Sequence, residues 1–178
     1  MIFTGRLHPQ KNLPLLLNAW VQVARQSPAN LILVGPGPDR EPLQALAKQL
    51  GIADRVQFVG PVADPSDHLR AADLFTLPSV AEGMSNSLLE AMAAALPCVV
   101  SGIGGNIDLI TDRENGRLVV GTDPDSWAKA YLELLEDPAE AARLGQRARE
   151  LVETRYSIPA VGDRYLDLYR QMIAGCRP

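Results

Sequence analysis

The sequence lacks the features that mark several large classes of protein. Its two cysteines, Cys98 and Cys176, are isolated, and neither stands in metal-ligand spacing with His8 or His68. No apolar run approaches the roughly 18 residues of a membrane span, and no signal-like segment opens the chain. Seventeen basic residues against 21 acidic ones leave a net charge of −4, which argues against a nucleic-acid surface. A reduced cytoplasmic setting with buried or inert thiols is expected.

What the chain does contain is an alternation of β-rich runs and helical patterns. With 178 residues, 47% of them hydrophobic, it can bury one sizeable core, and we expect a single domain over 1–178. Several of the β-rich runs are apolar on both faces, as in strands covered by helices on two sides. The predicted strands are 2–5, 30–35, 55–60, 73–78, 97–101 and 116–120.

Helical patterns separate these strands and then continue alone to the end of the chain. The predicted helices are 13–26, 40–50, 66–72, 87–95, 105–110, 124–136, 138–154 and 158–174. Asp123 and Asp137 each precede a proline and are predicted to cap the helices that follow. The pattern predicts an α/β fold with a doubly wound, mostly parallel, Rossmann-like sheet, helices on both faces and a helical C-terminal segment.

Ligands of such sheets bind where strands end and loops enter the next helix, so the loops carry the functional argument. The loop GRLHPQKN at 5–12 brings Arg6 and Lys11 together, with Asn12 placed to cap the next helix. Two cations beside a helix N-terminus favour a diphosphate, although a solvated basic loop is the alternative. His8 is expected to be a surface residue.

The segment EGMSNSLLE at 82–90 enters a helix through small polar residues. Gly83 to Ser87 can present amides to a phosphate. Glu82 and Glu90 can border the same loop mouth if Glu90 lies in the first helical turn. Alternatively, Ser87 and Glu90 form an S-x-x-E capping box. Glu82 has no comparable structural role, and its carboxylate suits a ligand hydroxyl or a developing positive charge.

Two glycine-containing loops are less informative. The loop GPGPDRE at 35–41 resembles a dinucleotide fingerprint, but Arg40 occupies the third glycine position. In SGIGGNIDLI at 101–110, Gly104 and Gly105 permit either a close approach to a ligand or tight packing in a turn.

Taken together and in order, these segments resemble the C-terminal domain of GT-B glycosyltransferases, specifically glycosyltransferase family 4. The E-x7-E spacing embedded in EGMSNSLLEAMAAALP is a specific signal, which any single segment would not be. Two positions depart from the family pattern, since Ala95 replaces the usual glycine and Asp108 replaces the usual glutamate.

The resemblance implies a role for each site residue. Arg6 and Lys11 would hold the donor diphosphate, Glu82 would contact the transferred sugar, and Glu90 would bind the ribose. The turn at Pro61 and Val62 would lie against the nucleobase. The remaining implied donor contacts are Gly5, Gly83, Met84, Ser85 and Asn86.

The resemblance also implies an activity. The chain would be the nucleotide-sugar-binding half of a retaining, hexosyl-type glycosyltransferase acting in polysaccharide or glycoconjugate biosynthesis, without a metal or other cofactor. The acceptor, a glycan or lipid, would bind mainly to an N-terminal domain absent from this sequence. The isolated half would transfer sugar weakly or not at all. A cytoplasmic location is expected, with any association with the inner membrane face made through the absent half. The alternatives are a hydrolysing nucleotide-sugar epimerase and a non-catalytic nucleotide-sugar-binding module.

Overall fold

Six short parallel strands form the centre of the computed structural model, which describes residues 1–175. The strands lie in the order β3-β2-β1-β4-β5-β6, and every neighbouring pair is parallel. The order reverses between β1 and β4, so the loops that follow these strands diverge and leave a crevice at the carboxyl edge. The strands are β1 Ile2–Thr4, β2 Leu31–Val34, β3 Val56–Gly60, β4 Phe75–Leu77, β5 Cys98–Ser101 and β6 Arg117–Val119.

Within residues 1–175 the sheet is accompanied by eight α-helices. Helix α1 lies against α2 and α6, and α4 lies against α3 and α7, as in a doubly wound sheet. The predicted fold class is confirmed. The helices are α1 Leu13–Gln26, α2 Arg40–Gln49, α3 Ser66–Arg70, α4 Asn86–Ala93, α5 Gly104–Leu109, α6 Pro124–Glu136, α7 Pro138–Arg155 and α8 Ile158–Gly175. Within the described residues, no helix has the length and apolar character needed to cross a membrane.

The core is built from apolar strands and the inner faces of the helices. Trp20 and Trp127 are fully buried, and the hydroxyl groups of Thr76 and Tyr131 form a buried hydrogen bond of 2.8 Å. Burial raises the pKa of the Cys98 thiol, which therefore stays protonated. The prediction of a buried thiol is confirmed for Cys98, whereas Cys176 lies outside the described residues.

The predicted helix caps are confirmed in two places and wrong in a third. The side chain of Asp123 accepts a hydrogen bond from the Ser126 amide, and that of Asp137 accepts one from the Glu140 amide, both at 3.0 Å. Asn12 precedes α1 without a side-chain cap, because its backbone is left-handed, with φ 50°. It ends the short 3-10 turn that precedes α1, and its own amide donates to the Pro9 carbonyl.

Ala95 ends α4 in a left-handed conformation, with φ 58°. The Leu96 amide donates to the Ala91 carbonyl at 3.0 Å, the hydrogen bond of a Schellman ending, whose left-handed position usually holds glycine.

Because a Cβ atom is unfavourable in the left-handed conformation of residue 95, we expect Ala95→Gly to raise the free energy of unfolding by about 0.5–1 kcal/mol. Urea denaturation measures this. The control is Ala94→Gly, where φ is −77° and a loss of about 0.5–1 kcal/mol is expected. Equal destabilisation by both changes would contradict this account.

Candidate functional site

An open cleft of about 380 Å³ lies at the carboxyl edge of the sheet, beside the point where the strand order reverses. Its walls come from the ends of β1 and β2, the loop after β3 and the first turns of α4. This is where doubly wound sheets bind ligands. The lining residues are Thr4, Gly5, Arg6, Val34, Gly35, Pro36, Val62, Pro65, Asn86, Ser87 and Glu90.

The cleft brings together five of the eleven site residues that the sequence predicts. These five are Gly5, Arg6, Val62, Asn86 and Glu90. They come from the loops after β1 and β3 and from helix α4, and are separated by up to about half the chain. The other six lie outside the lining of the cleft. These are Pro61, Lys11, Glu82, Gly83, Met84 and Ser85.

Positive charge and the first residues of a helix both line the cleft. The side chain of Arg6 is exposed, and within residues 1–175 it has no acidic partner. Asn86 and Ser87 are the first residues of α4, so their amides have no partner inside the helix. A guanidinium group and a helix N-terminus both attract anions, and together they suit a phosphate or diphosphate.

The capping-box interpretation of Ser87 and Glu90 is wrong. The residue that caps α4 is Ser85, whose hydroxyl accepts a hydrogen bond from the Leu88 amide at 3.4 Å. Ser87 is already inside the helix, and its hydroxyl lies 3.1 Å from that of Ser85. Glu90 is the fifth residue of the helix and begins its second turn, so the condition that it lies in the first turn is not met. Its side chain is free of a capping role and lines the cleft.

The carboxyl group of Glu90 has a perturbed environment. Partial removal of water raises its pKa, and the nearby Asp64 carboxylate adds to the effect. Asp64 itself accepts a hydrogen bond from the Ser66 amide at 2.8 Å, which fixes the start of α3 beside the cleft. A carboxyl group held at this position can accept hydrogen bonds from ligand hydroxyls.

Lys11 and Glu82 form an ion pair next to the cleft. The Lys11 Nζ atom lies 2.5 Å from Glu82 Oε1, and the side chains are only 16% and 7% exposed. The two residues are 71 positions apart in sequence, so this contact joins the loop after β1 to the loop after β4. Both are predicted site residues, but nothing in the sequence predicts that they pair with each other.

Backbone contacts hold the Glu82 loop in place. Gln10 Nε2 donates to the Ala81 carbonyl at 2.7 Å, and the Gly105 amide donates to the Glu82 carbonyl at 3.2 Å. A Cβ atom on Gly105 would lie 1.8 Å from the Gly83 carbonyl oxygen, so any side chain there would displace the loop. The packing interpretation of this glycine turn is confirmed.

The loop after β2 contributes more to the site than its sequence indicates. It hydrogen bonds to the loop after β1 through Leu7, whose amide donates to the Pro36 carbonyl at 2.7 Å and whose carbonyl accepts from the Asp39 amide at 3.2 Å. The signal that identifies the loop after β2 as part of the site is the position of β2 beside β1, because neighbouring parallel strands end at the same edge of the sheet. Five lining residues have no predicted role in the sequence: Thr4, Val34, Gly35, Pro36 and Pro65.

Met84 lies away from the cleft. Its side chain is 60% exposed and borders a second cavity with Tyr156, Tyr165 and Leu168. His8 is a local structural residue, since its Nδ1 atom accepts from the Gln10 amide at 3.4 Å. Among residues 1–175 there is no group of three or more His, Cys, Asp or Glu side chains arranged to hold a metal ion.

Comparison with known proteins places the same fold and sequence pattern in one family. A sequence model of the family described as "Glycosyl transferases group 1" matches residues 1–137. The chain is 34% identical to D-inositol 3-phosphate glycosyltransferase 2 of Catenulispora acidiphila, over 99% of this chain and 44% of that protein. The chain thus spans less than half the length of this relative.

Two solved structures resemble the chain closely. The Anabaena HepE complex with UDP-glucose superposes with a TM-score of 0.85 at 25% identity, covering 96% of this chain and 48% of that one. The C-terminal domain of LpcC, a glycosyl transferase group 1 family protein from Francisella tularensis, superposes with a TM-score of 0.79 at 26% identity, covering 88% of this chain and 86% of that one.

Proposed function

The chain belongs to the glycosyl transferases group 1 family, as the C-terminal domain of a GT-B glycosyltransferase, and we propose that it binds a nucleoside-diphosphate sugar for transfer to an acceptor. The observation that carries the proposal is the cleft that joins Arg6, the N-terminus of α4 and Glu90. The HepE structure contains UDP-glucose, which supports a donor of this chemical class.

Each wall of the cleft binds a different part of the donor. The diphosphate lies between the Arg6 guanidinium and the amides that open α4, where charge and helix dipole act together. The Glu90 carboxyl group accepts hydrogen bonds from the ribose hydroxyls. The backbone of Pro61 and Val62 lies against the nucleobase.

The transferred sugar lies beside the Lys11–Glu82 ion pair. Glu82 accepts hydrogen bonds from sugar hydroxyls, and Lys11 holds that carboxylate in position while adding positive charge near the diphosphate. Departure of a nucleoside diphosphate develops negative charge, which preorganised cations and amides stabilise. Removing one such donor typically costs about 10²–10³ in rate.

The proposal extends to the stereochemistry of the reaction, its need for a cofactor and its acceptor. Transfer retains the anomeric configuration. It needs no metal or other cofactor, because Arg6, Lys11 and the α4 amides supply the positive potential. The acceptor is a glycan or lipid that binds mainly to the remaining part of the longer protein, in the cytoplasm. The proton NMR spectrum of the product made by the longer protein tests retention. An anomer opposite to that of the donor, or loss of transfer on adding EDTA, would contradict these features.

Donor binding by the chain itself is tested with a thermal-shift panel of UDP-, GDP- and ADP-sugars. A ligand present at about 100 times its Kd should stabilise the fold by about 2.7 kcal/mol. We expect one nucleotide class to raise the melting temperature and Arg6→Met to weaken its binding about tenfold or more, because a charge-assisted phosphate contact is lost. The control is Arg25→Met, an exposed arginine on α1 outside the cleft. If no nucleotide shifts the melting temperature, or if both variants bind alike, the proposal is wrong.

A further inference from the structure

Arg40, the residue that interrupts the fingerprint-like loop after β2, makes an unusual contact with the edge strand of the sheet. It is the first residue of α2, and its Nη2 atom donates to the Phe58 carbonyl oxygen at 2.9 Å. Its side chain is half-buried, and it has no acidic partner within residues 1–175. A guanidinium group that bonds to a backbone carbonyl in the middle of a strand needs a structural reason.

The reason lies in the register of β3. Leu33 of β2 pairs with Phe58, but the next residue, Val34, pairs with Gly60, so Val59 is an extra residue in the edge strand. Such a bulge breaks the ladder and redirects the strand. Arg40 provides a hydrogen bond to the carbonyl group at the start of this bulge.

Arg40 also lies against the residue at which β3 turns into the cleft. Gly60 has a φ of 94°, and a Cβ atom there would lie 3.0 Å from Arg40 Nη1. The Gly60 carbonyl accepts from the Gly35 amide at 2.8 Å, and Gly35 lines the cleft. Two residues later, Val62 lines the cleft as well.

We infer that Arg40 is a positioning residue, which fixes the bulged end of β3 so that the Pro61–Val62 backbone meets the nucleobase of the donor. The inference rests on the proposed function, since it assigns a part of the same nucleotide site. Arg40 is not among the residues that line the cleft, so we expect it to contact neither the diphosphate nor the sugar. Replacing the Arg40 side chain therefore weakens the contacts to the base and leaves the contacts to the phosphates unchanged.

The test compares two ligands and two arginines. The ligands are the preferred nucleoside diphosphate, measured by calorimetry, and inorganic pyrophosphate, measured by competition. We expect Arg40→Met to weaken the nucleoside diphosphate about tenfold, as loss of one well-placed contact does, while pyrophosphate stays within about twofold. Arg40→Lys keeps one donor for the Phe58 carbonyl. Its affinity for the nucleoside diphosphate should therefore lie about midway, on a logarithmic scale, between those of the wild-type chain and Arg40→Met.

Arg55 is the matched control. It also donates to backbone carbonyls, those of Ser27 and Ala29, but it precedes β3, about 16 Å from Gly60 along the strand at about 3.3 Å per residue. Arg55→Met should lower the melting temperature as Arg40→Met does and leave both affinities unchanged.

Each outcome has a distinct meaning. If Arg40→Met leaves nucleotide affinity unchanged, weakens both ligands equally, or matches Arg55→Met, the positioning role is overturned. If Arg40→Met does not fold, Arg40→Lys alone must show the selective loss of about threefold for the nucleotide, and equal loss for both ligands overturns the role. A wild-type chain that binds pyrophosphate but no nucleoside diphosphate would overturn the proposed function itself.

Discussion

Replacing Lys11 by methionine is expected to lower the free energy of unfolding by about 3 kcal/mol, since it leaves the Glu82 carboxylate in a site where only 7% of its side chain is exposed. Methionine keeps most of the length and the apolar stem of lysine, so the loss of unfolding free energy reflects the missing charge and not a change in packing. Glu82→Gln should cost less, about 1 kcal/mol, because Lys11 is more exposed, at 16%, and keeps an oxygen acceptor. Chemical denaturation of the purified chain measures both.

The double variant provides the decisive comparison for the ion pair. With both charges removed, no buried charge is left unpaired, so we expect much of the loss caused by Lys11→Met to be recovered. The control is Lys48→Met, an exposed lysine on α2, whose expected effect is below about 0.5 kcal/mol. Strictly additive losses in the double variant would show that the two side chains do not interact in solution.

Gly105→Ala is expected to cost about 3 kcal/mol and to weaken donor binding at the same time. The added Cβ atom would lie 1.8 Å from the Gly83 carbonyl oxygen and 2.5 Å from its carbon, and backbone atoms cannot rotate away as a side chain would. The loop that carries Glu82 must then move, which breaks the Gly105–Glu82 backbone hydrogen bond and disturbs the ion pair with Lys11.

Gly83→Ala is the control for this prediction. Gly83 has no positive φ, and among the described residues a Cβ atom there would meet no atom within 4 Å. We therefore expect a change in unfolding free energy below about 0.5 kcal/mol. If the two alanine variants unfold at the same urea concentration, the contact between the loops after β4 and β5 is not as close as described.

The strands could be predicted because most of them are short apolar runs, as expected in a sheet covered by helices on both faces. All six strands lie within the predicted segments, although each is shorter at one or both ends, as with 73–78, which contains β4 at Phe75–Leu77. The differences arise where the chain leaves the ladder, and apolar content alone does not fix that point. Similarly, Asp123 and Asp137 cap their helices as local pattern predicts, whereas Asn12 does not, because the preceding 3-10 turn determines its backbone.

The site was predictable to the extent that it depends on strand order. Arg6 and Glu90 line one cleft because the loops after β1 and β4 meet where the strand order reverses. The Lys11–Glu82 pair was not predictable, since two opposite charges in adjacent loops can each face a ligand or each other. The role of Arg40 depends on the extra residue in β3, and no local sequence signal marks that bulge.

Amide hydrogen exchange of the chain, with and without a saturating nucleoside diphosphate, tests most directly whether the cleft is the donor site. We predict slower exchange at Arg6, Val62, Asn86 and Ser87, the lining residues whose amides surround the proposed diphosphate and base. The segment 111–115, which borders a separate groove beside α7, should exchange at an unchanged rate. Binding by calorimetry accompanied by protection in 111–115, with none in the loops after β1 and at the start of α4, would contradict the account.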